Sequence, residues 1–198
     1  MRKITLTILT ILFCLTSNIG WSADFQKGLT AAQSGDFATA LREWTPLAKQ
    51  GVADAQHNLG VMYENGRGVP QDYKTAVKWY RLSAKQGVAT AQFNLGNMYN
   101  LGQGVPQDYK TAVKWYRLAA KQGNASAQNN LGVMYRKGHG VLQDYVYAHM
   151  WYNIASISGE SKNASENRDI VAKELTPSQI ETAQKLAREC VRKKYKGC

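Results

Sequence analysis

Apolar and polar positions recur along this chain with a period of 36 residues, from Gly51 through Gly87 and Gly123 to Gly159. The segment VPQDYKTAVKWYRLSAKQG returns one period later as VPQDYKTAVKWYRLAAKQG, with Ser83 replaced by Ala119 as its only change. A period in the thirties is typical of solenoids, in which each unit packs on the next. The pattern predicts units over residues 52–87, 88–123 and 124–159.

Each unit is predicted to contain two helices joined by a glycine-rich loop. The first helix, near Ala55–Asn65, has apolar residues at i, i+4, i+7 and i+8, and Gly66 and Gly68 follow it. Pro70 prevents the helix from continuing, and Asp72 is a suitable N-cap for the second helix, which ends before Gly87. One such hairpin cannot bury its apolar stripe alone, so stacking is expected.

The repeated pattern A-x-x-x-L-G-x-x-Y, followed by G-x-G-V-x-x-D and then W-Y, resembles the Sel-one-like repeat family, a relative of the tetratricopeptide repeat. This resemblance implies an all-α fold, a right-handed α/α superhelical solenoid of helix-turn-helix repeats. In such superhelices the first helices line the concave surface. The resemblance favours a non-enzymatic scaffold for protein–protein interaction.

The flanking segments are predicted to be caps. Residues 23–51 form an atypical first unit, in which Asp36 matches Asp72 and Trp44 matches Tyr80. Residues 160–198 form a C-terminal cap whose last helix begins at Thr176-Pro177, with a capping box, and extends to about Arg192. A further helix is expected around Ile170–Leu175, after a polar segment over 160–168.

The second helices support this assignment of a terminal cap. Four cationic positions recur in the first two full units: Lys74, Lys78, Arg81 and Lys85, then Lys110, Lys114, Arg117 and Lys121. In the last unit these positions are Val146, Met150, Asn153 and Ile157. A mostly apolar stripe needs a cover, and we expect the terminal helix to provide it.

Residues 1–22 have the features of a secretory signal peptide. Arg2 and Lys3 precede a short apolar run, and Gly20 and Ser22 are the small residues expected before a cleavage site. Export to the bacterial periplasm or secretion is therefore predicted. An uncleaved anchor and, less favoured because Phe13 precedes Cys14, a lipoprotein are the alternatives.

Export changes the interpretation of the charge and of the cysteines. The 198-residue chain has 25 Lys+Arg and 14 Asp+Glu, a formal charge of +11 that becomes +9 when Arg2 and Lys3 are removed. Cys190 and Cys198 remain, and in an oxidising compartment they are expected to form a disulfide, with Gly197 letting the chain fold back. Two metal-binding thiolates are the alternative.

The residues that vary between units are the candidate partner-binding site, because they fall on one face of the first helix. The resemblance implies a groove with apolar contacts at Phe93 and Leu101 and a cationic end at Arg136 and Lys137. Neutral drift of surface residues is the alternative, and Asp54, Thr90 and Ser126 are also candidate N-caps. The predicted site comprises His57, Val61, Glu64, Phe93, Asn97, Asn100, Leu101, Asn129, Arg136 and Lys137.

No catalytic or metal-binding motif is found, so we expect no enzyme activity and no cofactor. His57 lies in one unit and His139 and His149 in another, with no H-E-x-x-H or H-x-H spacing, and S-x-x-K is absent. The expected partner of a monomeric chain is a protein or peptide. The basic tail, Lys185 to Lys196, also favours an anionic envelope surface, whereas nucleic acid is not expected. A cell-envelope hydrolase or a glycan-binding (peptidoglycan-binding) module of the same fold is the second hypothesis, and a purely electrostatic surface binder is the third.

Overall fold

A computed structural model of the protein describes residues 25–157 and 163–198, and in this part of the chain every regular element is helical. The predicted signal peptide, residues 1–22, lies outside the described residues. The helices are α1 (25–33), α2 (Phe37–Lys49), α3 (Ala53–Asn65), α4 (Tyr73–Lys85), α5 (Ala89–Leu101), α6 (Tyr109–Ala120), α7 (Ala125–Lys137), α8 (Tyr145–Ile157), α9 (Ala164–Ala172) and α10 (Pro177–Arg192). The predicted all-α solenoid of helix pairs is confirmed.

The loop within each pair ends one helix and begins the next by local hydrogen bonding. Gly66 adopts a left-handed conformation with φ of 66°, and its N–H donates to the carbonyl of Met62 at the end of α3. The Asp72 carboxylate then accepts from the backbone N–H groups of Lys74 and Thr75, capping α4. These local signals were correctly predicted, and they recur in each unit.

The two helices of a unit approach closely because the first contributes a glycine where they cross. The ring of Tyr80 on α4 lies against Gly60 on α3, where a β-carbon would stand 2.5 Å from Tyr80 Cδ1. Gly132 and Tyr152 make the same contact in the third unit. Tyr80 is fully buried and packs within its own unit as well as against the next.

Successive units are joined through the ends of their second helices. The Gln92 side chain on α5 is buried, and its Nε2 donates to the carbonyl of Ala84 at the end of α4, at 3.1 Å. Gln56 and Gln128 make the same bond to Ala48 and Ala120. Because a buried carbonyl without a partner is costly, each glutamine stabilises the contact between two units.

The N-terminal pair, α1 and α2, uses the same geometry with different residues. The indole of Trp44 takes the place of Tyr80 and packs on Gly28 of α1, where a β-carbon would stand 2.4 Å from Trp44 Nε1. Asp36 caps α2 by accepting from the backbone N–H of Thr39, as its match to Asp72 predicted.

The C-terminal segment continues the stacking further than the sequence indicated. The further helix expected around Ile170–Leu175 begins earlier, at Ala164 within the polar segment, and it ends at Ala172 as α9. It packs against α8 as α5 packs against α4 and α7 against α6, so it occupies the position of a further first helix. The loss of period after Gly159 therefore hid where this helix begins, since Ala164 and Val171 alone form its buried face.

Helix α10 packs on α8 and covers part of the apolar stripe predicted to need a cover. Met150 is buried and lies beside Leu186 and Cys190 of α10, whereas Ile157 at the end of α8 remains 65% exposed. The capping box is present, because Thr176 and Gln179 exchange side-chain-to-backbone hydrogen bonds. None of the helices described is long and apolar enough to cross a membrane.

The chain turns back after α10. Lys194 and Tyr195 have positive φ, and Gly197 follows with φ of 80°, so that Cys198 returns to Cys190. The two Cα atoms lie 5.6 Å apart and the Sγ atoms 2.02 Å apart. This reversal is the fold-back that a disulfide between them requires.

Candidate interaction surface

The first helices of successive units lie side by side and form one continuous face. We call this the first-helix face, and it is built from α3, α5, α7 and α9. Three hydrogen bonds between neighbouring helices connect it: Asn94 Nδ2 with His57 Nε2 at 3.3 Å, Asn130 Nδ2 to Asn97 Oδ1 at 3.2 Å, and Asn167 Nδ2 to Asn129 Oδ1 at 3.1 Å. The third bond extends the face to α9, which sequence periodicity did not assign to it.

The residues predicted to bind a partner all map to this face, but they differ in exposure. Leu101 and Lys137 are exposed, and they occupy the same register at the C-terminal ends of α5 and α7. The other predicted residues are half-buried: His57, Val61, Glu64, Phe93, Asn97, Asn100, Asn129 and Arg136. A partner would therefore meet the side chains at the helix ends first and the half-buried residues beneath them.

Tyrosine hydroxyls from the second helices reach this half-buried layer. Tyr80 donates a hydrogen bond to the Glu64 carboxylate, and Tyr116 donates to Asn97 Oδ1 at 2.7 Å. Tyr152 is at the equivalent position, but its hydroxyl has no hydrogen-bond partner. Burial raises the pKa of both Tyr116 and Tyr152 to about 12, so these hydroxyls stay protonated and act as donors.

The Tyr152 hydroxyl lacks the hydrogen bond that Tyr80 and Tyr116 make because residues near it vary between the units. Arg136 occupies the register of Glu64 in the third unit, and Val133 occupies the register of Asn97. Neither a guanidinium nor an aliphatic group can accept a hydrogen bond. The variable positions therefore change the interior hydrogen bonding as well as the surface.

A cavity of about 220 Å³ opens on this face between α5 and α7. Leu101 and Lys137 contribute to its wall, and His139 stacks on Tyr109 at its edge with ring centroids 4.3 Å apart. The full lining combines apolar and amide groups: Asn100, Leu101, Gln107, Tyr109, Tyr116, Asn130, Val133, Met134, Lys137 and His139. This mixture suits a side chain with an apolar body and a polar end.

His57 marks the other end of the first-helix face. Its ring lies 5.9 Å from that of Tyr80, and Nδ1 is 3.3 Å from Asn58 Oδ1. Burial lowers the pKa of His57, and the hydrogen bond that His57 donates to Asn58 Oδ1 opposes that effect. The neutral imidazole is thus favoured, and it serves as a polar contact rather than as a positive charge.

Two aspects of the site were missed or misassigned from sequence. Asn58, Asn94 and Asn130 are identical between units and were not among the predicted residues, although they lie in the same half-buried layer. Their fixed spacing of 36 residues was the available signal. The suggestion that Asp54, Thr90 and Ser126 are N-caps is wrong, because the helices begin two residues earlier, with caps at Val52, Val88 and Asn124.

Within residues 25–157 and 163–198, no three His, Cys, Asp or Glu side chains are grouped so that they could hold a metal ion. The Ser83 hydroxyl is fully buried in the core, away from solvent. The features that do recur are amide groups, aromatic hydroxyls and exposed side chains at helix ends, which are contacts for binding.

The same repeated helix pair occurs in known proteins. The family model for the Sel1 repeat matches residues 53–88, 89–124 and 125–160, more than half of the chain. The chain belongs to the Sel1 repeat family. The matched ranges begin one residue after the units predicted from the glycine spacing. Proteins with Sel1 repeats typically serve as scaffolds for protein interaction.

Two solved structures illustrate the likeness of these Sel1 repeats to others. One is c5321, a protective antigen of uropathogenic Escherichia coli strains with an SLR fold, 30% identical with a TM-score of 0.63. The alignment covers 93% of this chain but only 49% of the antigen, so this chain spans about half of the antigen's length. The other is a Sel1 repeat protein from Oxalobacter formigenes, 28% identical with a TM-score of 0.66, covering 84% of this chain and 75% of its own. A comparison with curated proteins gave no significant match.

Proposed function

We propose that this Sel1 repeat protein is an exported, non-enzymatic scaffold that binds a peptide or protein partner along its first-helix face. The observation that carries the proposal is the pairing of Leu101 with Lys137 at the wall of the cavity between α5 and α7. Leu101 is 60% exposed, and it lines a concave pocket together with Lys137. A pocket with both an apolar and a charged side chain in its wall is a candidate contact site.

The position of the varied residues supports the same proposal. Units that stack by identical contacts need identical residues at those contacts. The second helices α4 and α6 have such identity, because residues 73–82 and 109–118 share one sequence. The first-helix face differs between units at the four repeat positions that the ten predicted residues occupy. A surface that is held in place by a constant framework and varied in its side chains can be specific for one partner.

Export and the terminal disulfide belong to the same proposal. The N-terminal sequence supports export, and the return of Cys198 to Cys190 supports a disulfide formed in an oxidising compartment. In that setting α1 and α2 would protect one end of the solenoid, and α9 and α10 the other. A protein of this charge would also meet anionic envelope surfaces, and the basic tail favours such contact.

Site-specific photo-crosslinking in intact cells tests the scaffold proposal. A photoreactive phenylalanine analogue replaces Leu101 on the first-helix face, and Leu118 on α6 is the matched control, since it is a leucine of similar exposure at 45%. A protein adduct of defined mass at position 101 but not at position 118 is expected. Lys137→Ala should weaken that adduct without changing the thermal unfolding of the protein.

Other outcomes would contradict the proposal. Equal adducts at both positions, or none at position 101, would mean that the first-helix face is not the contact. Retention of the purified protein on peptidoglycan, or turnover of nitrocefin by it, would favour the hydrolase or glycan-binding alternative.

A further inference from the structure

Lysine and arginine side chains cover the outer side of α4, α6 and α10, and we call this the outer cationic face. The charged positions on α4 and α6 follow one another at steps of four, three and four residues, which places them on one side of each helix. Its members on α4 and α6 are Lys74, Lys78, Arg81, Lys85, Lys110, Lys114, Arg117 and Lys121. All of these except Arg81 are exposed.

Helix α10 continues this face where α8 would otherwise interrupt it. Met150 of α8 occupies the register of Lys78 and Lys114, and it is buried beneath Leu186 and Cys190 of α10. The turn after α10 also brings Tyr195 next to Gly123, just beyond the end of α6. The exposed cations of this segment thus take the place of those that α8 lacks: Lys185, Arg188, Arg192, Lys193, Lys194 and Lys196.

Few carboxylates balance these charges. Within the part of the chain that the structure describes, the ion pairs are Lys27 with Glu43, Arg42 with Glu43, and Arg168 with Asp169, so none involves α4, α6 or α10. Asp72 and Asp108 lie near Lys78 and Lys114, but their oxygens accept hydrogen bonds at the N-termini of α4 and α6. Glu181 and Glu189 are the acidic residues of α10.

Two exposed leucines lie within the same face. Leu82 is 46% exposed and Leu118 is 45% exposed, at the same register of α4 and α6. Each follows a lysine by four residues and is adjacent to an arginine. A free polyanion would gain nothing from them, whereas a lipid interface takes up apolar side chains while the lysine ammonium groups meet the headgroup phosphates.

We propose that the outer cationic face is a docking surface for a bilayer that contains anionic lipids. Lysine outnumbers arginine in this face, and lysine acts as a point charge toward diffuse negative charge rather than as a bidentate ligand. Lipid would then contact the second helices while the first-helix face stays open to a partner. The proposal does not depend on the scaffold function, since it concerns different helices and a different test.

Vesicle sedimentation tests this surface. The full chain and its variants are made in the same host, so all carry the same N-terminus, and they are mixed with vesicles of 30% phosphatidylglycerol in phosphatidylcholine or of phosphatidylcholine alone. We expect binding to the anionic vesicles only, and weaker binding as salt is raised. Lys78→Gln/Lys114→Gln/Lys121→Gln should weaken binding by about 30-fold or more.

Two further variants give matched controls. Lys27→Gln/Arg67→Gln/Lys173→Gln removes the same charge from elsewhere and should change vesicle binding by less than about threefold, since distant charges are screened. Leu82→Gln/Leu118→Gln keeps every charge and should weaken vesicle binding but not binding to heparin. Circular dichroism confirms that each variant is folded.

Three results would overturn the proposal. The first is no binding to anionic vesicles. The second is an equal loss of vesicle binding from the two triple variants that remove three positive charges, which would reflect net charge alone. The third is an unchanged vesicle affinity in the leucine variant, which would make the face a general polyanion binder.

Discussion

The ring of Tyr116 lies against Gly96, with its Cδ1 and Cε1 atoms 2.7 Å from the point where a β-carbon on that residue would stand. The contact sets how closely α5 approaches α6, and Tyr116 is fully buried there. Real β-carbons do not approach other atoms so closely, so any other residue at position 96 must separate the two helices.

The first prediction follows from this contact. Gly96→Ala should lower the free energy of unfolding by about 1–3 kcal/mol, because the added methyl overpacks the crossing against a ring that has no room to move. Urea or thermal unfolding followed by circular dichroism measures the change. Helix propensity alone predicts the reverse, a gain of up to about 1 kcal/mol, so a raised melting temperature would show that the crossing is not close.

The second prediction concerns the one difference between the repeated nineteen-residue segments. Ser83 is fully buried and its hydroxyl has no hydrogen-bond partner, whereas the equivalent Ala119 has no hydroxyl to satisfy. Ser83→Ala should therefore stabilise the protein by about 1 kcal/mol, and Ala119→Ser should destabilise it by a similar amount. Urea unfolding of the two variants gives both values, and a destabilised Ser83→Ala would reveal a hydrogen bond to this hydroxyl.

The third prediction compares two tyrosines at equivalent positions. Tyr116→Phe should cost about 0.5–1.5 kcal/mol, because it removes the hydrogen bond to Asn97. Tyr152→Phe should be neutral or stabilising, because the hydroxyl it removes is buried without a partner. Equilibrium unfolding of the pair decides the matter, and equal losses would mean that Tyr152 has an acceptor after all.

The fourth prediction is a dependence of stability on pH. His149 is buried on α8, and that burial, with the nearby Arg168, lowers its pKa, although Asp169 raises it in part. As pH falls below about 6.5, the unfolded chain takes up a proton at this histidine before the folded chain does. The free energy of unfolding therefore falls between that pH and the lower pKa of the folded state.

A single substitution isolates this effect. The equivalent residues in the other units are Val77 and Val113, so His149→Val should pack well and remove this contribution. The gain of the variant over the wild type should increase as the pH of the urea titration is lowered from 7.5 to 5. A gain that is constant across this range would mean that His149 does not titrate differently in the two states. His57 remains in both proteins and cancels from the comparison.

The fifth prediction tests the proposed disulfide. In the exported protein, Cys190 and Cys198 should be unreactive toward a thiol reagent until a reductant is added. Cys190→Ser/Cys198→Ser should lower the free energy of unfolding by about 2–3 kcal/mol, because the bond restricts the unfolded chain. Reaction of both thiols without reductant would contradict the proposal.

How far the fold follows from sequence is clear at the helix junctions. The glycine at position 66, the proline at position 70 and the cap at Asp72 act over a few residues, so the pattern alone located each hairpin. Helix α9 was harder to find, since only Ala164 and Val171 are buried in it and its contacts come from α8.

The sequence predicted which face carries the candidate site but not all of the residues that form it. Variation between units pointed to the face that carries Leu101 and Lys137. It could not show that Asn94 and Asn130 share that face, because identity between units looks the same for a structural residue and for a surface one. Their hydrogen bonds to His57 and Asn97 depend on how neighbouring units stack, which the pattern within one unit does not specify.

The loop of each of the last two repeated units lies close against the backbone at the start of the second helix in the preceding unit. A β-carbon on Gly104 would stand 2.3 Å from the carbonyl oxygen of Tyr73, and one on Gly140 would meet Tyr109 at 2.5 Å. Every unit makes this contact only with its neighbours. A duplicate of residues 88–123 inserted after Gly123 would therefore make the same contacts with the unit before it and with the unit after it. A gene encoding this architecture can therefore lengthen or shorten by whole modules, whereas the loss of a single loop residue would shift everything downstream out of alignment.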